Sequence, residues 1–225
     1  MSRLERLVGQ LREFYGLLPT PPSDPFQLFV WEILSHQSTP QQRNSAITSL
    51  KRNLALTPDS MSKVAPKKLE ESVKLAGPYG EQRLHALRTG VDIFRRTPKL
   101  PSIIRGPITS ARRALKGLPQ MGEGGAYRML LFAADQPVLP VDARVSRVAR
   151  RLGYGDTQGD FAKTARSVRD AVSNELPPDI EAYQRAFLYL SHHGAATCTE
   201  GDPHCTVCPL LPDCPEGHRR VARQG

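Results

Sequence analysis

The segment LPQMGEGGAYRMLL, residues 118 to 131, joins a group of turn-forming residues to an apolar helical run. Such a junction has two interpretations. It is an ordinary connection between two helices, or it is a loop whose backbone N–H groups hold a phosphate, because the N-terminus of a helix attracts anions. Glycines would let the backbone of this loop approach a ligand closely. The flanking sequence decides between the two.

Helical patterns lie on both sides of this segment. Near the N-terminus, apolar residues recur three and four positions apart, which predicts an amphipathic helix. They are Leu4, Leu7, Val8 and Leu11, with Phe14 or Tyr15. Further helices are predicted at 26–38, 39–56, 65–77, 80–96, 110–119, 122–135, 142–155, 159–177 and 180–198. No alternating strand of useful length is found, and two prolines make residues 137–141 a linker. The fold class is therefore predicted to be all-α.

The overall charge limits the classes of partner. The 225 residues carry a formal net charge of +9. Such an excess favours a polyanionic partner, most often nucleic acid, although a basic solvated surface is the alternative. No signal-peptide core is present, and no apolar run approaches the roughly 20 residues of a membrane span. We expect a monomer without membrane contact that is cytoplasmic, or nucleoid-associated if the source is prokaryotic.

Four cysteines lie close together near the C-terminal end, in the pattern C-x6-C-x2-C-x5-C. They are Cys198, Cys205, Cys208 and Cys214. Structural disulfides are rare inside cells, so a shared metal centre is the favoured interpretation. An iron–sulfur cluster and zinc both accept four thiolates, and disulfides or free thiols are the remaining alternatives.

The cysteine spacing resembles the iron–sulfur loop of the endonuclease III and adenine-glycosylase branch of the helix-hairpin-helix DNA glycosylases. Residues 190–198, LSHHGAATC, resemble the approach to the first ligand in that family. The resemblance implies a [4Fe-4S] cluster on the four cysteines. It also implies two all-α lobes with DNA in the groove between them. One is a six-helix barrel at residues 22–136, with its hairpin at 118–126. The other is a cluster domain built from residues 1–21 and 137–225.

The opening segment resembles the hairpin LPGVG of this family, which implies that its backbone holds a DNA phosphate. Gln120 replaces the first glycine, so a strained or altered turn is expected there. Met121, Gly122 and Gly124 are the further expected DNA contacts.

Residues 139–153, LPVDARVSRVARRLG, resemble the family segment VDxHVxRVxxRL. Asp142 falls on the essential aspartate, whose carboxylate stabilises positive charge on the sugar as the glycosidic bond breaks and helps to activate water. Taken alone, Asp142 would be a helix N-cap. Arg144 replaces the usual histidine. Arg144 and Arg147 are expected to contact DNA; Arg150 and Arg151 serve phosphates or solvate a helix face.

Two loops resemble those that enter DNA at an extruded base. Residues 33–39, ILSHQST, place Gln37 on the inserted glutamine, although an isolated glutamine is usually a surface residue. Residues 75–83, LAGPYGEQR, place Pro78 on the apolar wedge, with Tyr79 beside it. The expected partner is therefore double-stranded DNA with a damaged base flipped out.

One departure from the family bears on the chemistry. Bifunctional members carry a lysine two residues after the last hairpin glycine, and here that position is Gly124. No lysine occurs between Lys116 and Lys163. We therefore predict a monofunctional glycosylase with weak or absent strand cleavage. The alternatives are an alkyl-purine or mismatch glycosylase on the same scaffold and a non-catalytic protein that binds DNA damage or junctions.

Five residues are candidates for lining the pocket that receives the flipped base. Gly124 and Gly125 are expected to leave room for a bulky purine. Tyr127, His36 and Trp31 are candidates for stacking or hydrogen bonding, although each is more often core or surface structure.

Overall fold

The computed structural model describes residues 1–52 and 55–223 and contains helices but no strands within those ranges. The predicted all-α class is confirmed. The helices are α1 Arg3–Tyr15, α2 Pro25–Ser35, α3 Pro40–Lys51, α4 Pro58–Ser62, α5 Pro66–Lys74, α6 Gly80–Arg96, α7 Leu100–Ile104, α8 Ile108–Lys116, α9 Glu123–Ala133, α10 Ala143–Arg151, α11 Phe161–Ser173, α12 Ile180–Ala196 and α13 Pro215–Val221. Two short 3-10 turns lie at Cys205–Val207 and Leu211–Asp213.

The chain divides into two compact units. The terminal unit combines Met1–Thr20 with Gln136–Gly225, of which the structure describes residues up to 223. The central unit is Pro21–Asp135 and contains α2 to α9.

Side-chain caps define where many helices begin. Ser2 and Glu5 form a capping box at α1, and Thr39 and Gln42 form another at α3, where Pro40 is the first helical residue. Asp24 caps α2 by accepting a hydrogen bond from the Gln27 N–H. Such caps satisfy N–H groups that the helix itself leaves unpaired, so the chain enters each helix at a defined residue.

The core of the central unit forms around α2, which is apolar on most of its surface and largely buried. Phe29 is fully buried and packs beside Phe26 and Phe94. A Cβ at Gly90 on α6 would lie 2.2 Å from the Phe29 ring, so glycine lets α2 and α6 approach closely.

The terminal unit packs α12 against both α1 and α10. The predicted stripe of α1 is buried at Leu4, Leu7, Val8 and Leu11. At the C-terminal end of α1, the Tyr15 hydroxyl hydrogen-bonds to His193 of the same unit, whereas Phe14 is exposed.

Three short helices were absent from the sequence prediction: α4, α7 and α13. Each has a proline in its first turn. In the sequence, such a proline indicates the end of a helical pattern. Proline is well tolerated there because the N–H groups of the first turn have no partner inside the helix. The predicted helix at 39–56 instead ends at Lys51, and its residues 53 and 54 lie outside the described part of the chain.

Candidate functional site

The four cysteines of the terminal unit line one cavity. The end of α12 leads into Cys198, whose N–H donates to the His193 carbonyl at 2.8 Å. The two 3-10 turns then place Cys205, Cys208 and Cys214 around the same space. The sequence cluster is thus also a cluster in three dimensions.

Three thiols of this cavity are poorly suited to ionise without a cation. Burial raises the pKa of Cys208 to about 11, and the neighbouring thiols add to the effect. Burial also raises the pKa of Cys205 and Cys214. Because metal ligands must be thiolates, a bound cationic centre would supply the compensating charge.

Four cysteines around one cavity are a ligand set that a zinc ion and an iron–sulfur cluster both accept. Within residues 1–52 and 55–223, no three His, Cys, Asp or Glu side chains are grouped as ligands of a single metal ion would be.

Hydrogen-bond donors lie beside two of the sulfurs. The Arg151 Nη1 donates to Cys198 Sγ at 3.1 Å, and the Gly217 N–H donates to Cys214 Sγ at 3.2 Å. Positive charge and N–H groups aimed at sulfur stabilise thiolates and tune a bound cluster.

His193 also belongs to this centre, although its place in the sequence did not indicate a role. It is 2% exposed, with Nδ1 2.8 Å from the Tyr15 hydroxyl and Nε2 3.6 Å from Cys208 Sγ. Burial, helped by the nearby charge of His192, lowers its pKa to about 4. His193 is therefore neutral near pH 7 and acts as a hydrogen-bonding bridge between Tyr15 and Cys208.

Asp142 lies at the start of α10 in the same unit, half-buried, as its N-cap. Its Oδ1 accepts a hydrogen bond from the Val145 N–H at 2.9 Å. Among the described residues Oδ2 has no hydrogen-bond partner. The N-cap alternative therefore describes its local geometry, and it leaves one carboxylate oxygen for other chemistry. The helix N-terminus stabilises negative charge at this position.

The arginines of α10 face different surroundings. Arg144 is exposed, as a DNA contact requires. Arg147 instead donates to the carbonyls of Cys198 and Gly194 at 2.9 and 2.6 Å. Arg151 donates to the carbonyls of Thr199 and Glu200 as well as to Cys198. This geometry favours a structural role for Arg147, for which a DNA contact was expected, and for Arg151, for which a phosphate contact was one of two alternatives, because the cysteine loop already uses their donors.

In the central unit, α8 and α9 enclose the hairpin. Gln120 has a left-handed backbone with φ of 55°, as the strained turn predicted there requires. Its side-chain amide donates to the Gln82 carbonyl at 3.0 Å. Met121 is buried, and Gly122 is the N-cap residue of α9 and provides no side-chain cap. The first N–H groups of α9 thus have no capping side chain, as an anion-binding helix end requires.

An acidic residue stands at this helix end, but it is paired. Lys116 Nζ lies 2.8 Å from Glu123 Oε2, and Arg112 donates to Glu123 Oε1. Burial of Glu123 opposes its ionisation, yet the hydrogen bonds with Lys116 and Arg112 outweigh burial and lower its pKa. The two cations offset the charge that would otherwise repel a phosphate.

The two glycines of α9 leave less room than expected. A Cβ at Gly125 would lie 2.7 Å from Met121 Sδ, so that space is already filled. A Cβ at Gly124 would lie 3.6 Å from Arg128 Nη1, an ordinary contact distance. The expectation of an open purine-sized gap beside both glycines is wrong for Gly125.

A polar cluster that could not be predicted from the sequence lies next to these glycines. Arg128 binds Glu32 through two hydrogen bonds of 2.6 Å each, and the Glu32 side chain is 6% exposed. Arg43 stacks over the Trp31 ring at 4.5 Å. Glu32 and Arg128 are 96 positions apart in the sequence, and they meet only because α2 packs against α9. Of the proposed pocket residues, Tyr127 is buried, Trp31 is half-buried and His36 is exposed.

The two loops expected to enter DNA both present their side chains outward. Gln37 is exposed with φ of 49° and follows α2. Pro78 is exposed, and Tyr79, with φ of 68°, is 47% exposed at the start of α6. Tyr79 is thus as available for insertion as Pro78. Buried Arg83 contacts the backbone of both loops and was also missed, because its environment is set by tertiary packing.

The comparisons with known proteins agree with this geometry. Residues 30–178 match the family model of the HhH-GPD superfamily base excision DNA repair protein. Endonuclease III of Haemophilus influenzae is 26% identical over 186 residues, which span 83% of this chain and 81% of that protein. The thymine/uracil-DNA glycosylase of Pyrobaculum aerophilum is 24% identical over 187 residues, 83% of this chain and 78% of that protein.

Solved structures share the fold. A trapped endonuclease III–DNA covalent intermediate superposes with a TM-score of 0.75 at 22% identity, covering 97% of both chains. A thermostable thymine-DNA glycosylase superposes with a TM-score of 0.73 at 18% identity, covering 96% of this chain and 97% of the other. None of the described helices is long and apolar enough to cross a membrane. The chain belongs to the HhH-GPD superfamily of base excision DNA repair proteins.

Proposed function

We propose that the protein is a monofunctional DNA N-glycosylase that hydrolyses the N-glycosidic bond of a damaged base. Its substrate is double-stranded DNA with the base flipped out of the stack. Water attacks the sugar C1′, the base leaves as the bond breaks, and an abasic site remains. The Asp142 carboxylate, oriented by its cap bond to Val145, stabilises the positive charge that develops on the sugar.

One observation carries the monofunctional assignment. The position that supplies the amine in bifunctional members is Gly124, and α9 contains no lysine along Glu123–Ala133. Lys116, the nearest lysine before the hairpin, holds its ammonium in an ion pair with Glu123. An ion-paired ammonium is a poor nucleophile, because imine formation needs the free amine.

The decisive experiment measures base release and covalent trapping on a panel of lesion duplexes. The panel contains oxidised pyrimidines, alkylated purines and mismatched pairs, each with and without borohydride. The matched variant is Asp142→Asn, because asparagine caps a helix as well as aspartate but carries no charge. We expect the wild type to form abasic sites and the variant to lose about 100-fold or more in rate. Efficient trapping by the wild type would refute the monofunctional mechanism.

Two alternatives are separated by the same panel. The similarity to a thymine/uracil-DNA glycosylase favours mismatch substrates as the second candidate. Preference for mismatches or alkylated purines over oxidised pyrimidines would support a different glycosylase on the same scaffold. Tight lesion binding without base release would support a non-catalytic damage-binding protein.

We also propose that Cys198, Cys205, Cys208 and Cys214 hold a [4Fe-4S] cluster that maintains the shape of the C-terminal loop. The purified protein should show a shoulder near roughly 400 nm and contain about four iron atoms per chain, as Cys-ligated clusters do. A colourless protein with one zinc per chain would overturn this assignment.

A further inference from the structure

Arg83 on α6 is fully buried, with 0% of its surface exposed. Within the described ranges it has no carboxylate within salt-bridge distance. Burial without a counter-charge lowers its pKa. A buried cation is costly unless hydrogen bonds compensate it, so the acceptors around Arg83 indicate what it does.

Those acceptors are backbone carbonyls from two loops that are distant in sequence. Arg83 Nη1 donates to the Gly77 carbonyl at 3.1 Å and to the Pro78 carbonyl. Arg83 Nη2 donates to the carbonyls of His36 and Gln37. One planar guanidinium therefore ties the end of α2 to the loop before α6. Among the described residues, Arg83 Nε is buried without a hydrogen-bond partner, so the donors of this side chain that are used are those of its two terminal nitrogens.

Both loops hold non-glycine residues in the left-handed region, Gln37 at φ of 49° and Tyr79 at φ of 68°. A side chain in that region is strained and persists only when the surrounding structure enforces it. The bonds of Arg83 supply that enforcement, because neither loop can relax without leaving part of a buried charge unsatisfied.

We propose that Arg83 is a positioning residue that holds the Gln37 loop and the Pro78–Tyr79 loop at a fixed separation, so that both can enter the DNA stack at one extruded base. The inference rests on the proposed function, since it assigns the two loops to the DNA side of the molecule. The outward exposure of Gln37, Pro78 and Tyr79 on these loops fits that role.

The planar fork of arginine explains why this residue type is used. It can donate in two directions at once, whereas the single ammonium of lysine is a point charge on a flexible stem. Arg83→Lys should therefore keep part of the function, and Arg83→Met, which preserves the approximate length without donors, should keep none.

The test uses a duplex that carries a tetrahydrofuran abasic analogue opposite 2-aminopurine, so that no lesion needs to be known. Unstacking of 2-aminopurine raises its fluorescence when side chains enter the gap. Affinity for this duplex and for an undamaged duplex is measured in parallel for the wild type, Arg83→Lys, Arg83→Met and Ile104→Val. Ile104→Val removes a buried methyl group of α7 in the same unit, far from both loops in sequence, and serves as the stability control.

We expect the wild type to prefer the abasic duplex and to increase the fluorescence. Arg83→Met should lose about tenfold in that preference and the fluorescence increase, while it binds undamaged DNA as the wild type does, since phosphate contacts dominate that binding. Arg83→Lys should lie between the two, and Ile104→Val should behave as the wild type.

A folded Arg83→Met that keeps the wild-type preference for the abasic duplex and the fluorescence increase would overturn the inference. An equal loss of preference and fluorescence in Ile104→Val would also overturn it, because it would indicate a general effect of stability. If Arg83→Met does not fold, Arg83→Lys decides the outcome, and wild-type behaviour in that variant would overturn the inference. A wild type that neither prefers the abasic duplex nor releases any base would instead overturn the proposed function itself.

Discussion

Glu32 and Arg128 form a two-pronged salt bridge, with Oε1 2.6 Å from Nε and Oε2 2.6 Å from Nη2. It joins α2 to α9 directly beside Gly124 and Gly125. The pair therefore places two charged side chains beside Gly124 on α9, the position at which the family resemblance implies a lysine in bifunctional members.

Breaking this salt bridge should destabilise the protein. Arg128→Met leaves the buried Glu32 carboxylate without its main partner, and we expect a loss of about 3 kcal/mol in the free energy of unfolding. Glu32→Met combined with Arg128→Met should recover much of that loss, because no buried charge remains. Urea unfolding of the single and double variants measures the coupling. A double variant as unstable as the sum of its parts would contradict a coupled pair.

Gly124→Lys should introduce covalent trapping. A Cβ at this position meets Arg128 Nη1 at 3.6 Å, an ordinary contact, so the first atom of a side chain is accommodated there. Borohydride trapping on an abasic duplex should rise about tenfold or more above that of Gly124→Met, the matched variant without an amine. Equal trapping by the two variants would show that residue 124 does not face the sugar.

Gln120→Gly should stabilise the hairpin. Gln120 has a left-handed backbone at φ of 55°, which costs glycine almost nothing. Glycine removes the strain of the left-handed backbone. It also increases the entropy of the unfolded chain and loses the hydrogen bond to Gln82, and both effects lower stability. We expect the removal of strain to be the larger effect, with a net gain of about 0.5 kcal/mol in the free energy of unfolding. Thermal unfolding measures the gain. Gln158→Gly is the control, since Gln158 is exposed but not left-handed, and that variant should lose stability.

Gly194→Ala should weaken the terminal unit. The new Cβ would lie 2.9 Å from Arg144 Cβ and 3.1 Å from the Arg144 carbonyl oxygen, where α12 packs on α10. We expect a loss of about 1 to 3 kcal/mol from the forced separation of the helices. Gly201→Ala, which meets no atom within 4 Å, should change little. Unchanged stability of Gly194→Ala in urea would contradict the tight contact.

Several features could be predicted from the sequence because they depend on neighbours along the chain. The apolar periodicity of α1 is a pattern that spans only a few residues. The four cysteines occupy one short stretch, so their convergence needs only local turns. The short helices α4, α7 and α13 escaped prediction, because a proline in the first turn also marks a break in the pattern.

The sequence alone thus determined the all-α class, the hairpin and the missing lysine. Tertiary structure decided which charges meet. It turned Arg147 and Arg151 toward the cysteine loop, paired Glu32 with Arg128, and buried Arg83 between two loops. A helical pattern shows which face of a helix is polar. It does not show which acceptors another helix brings to that face, and those acceptors determine whether an arginine remains in solvent or binds within the protein.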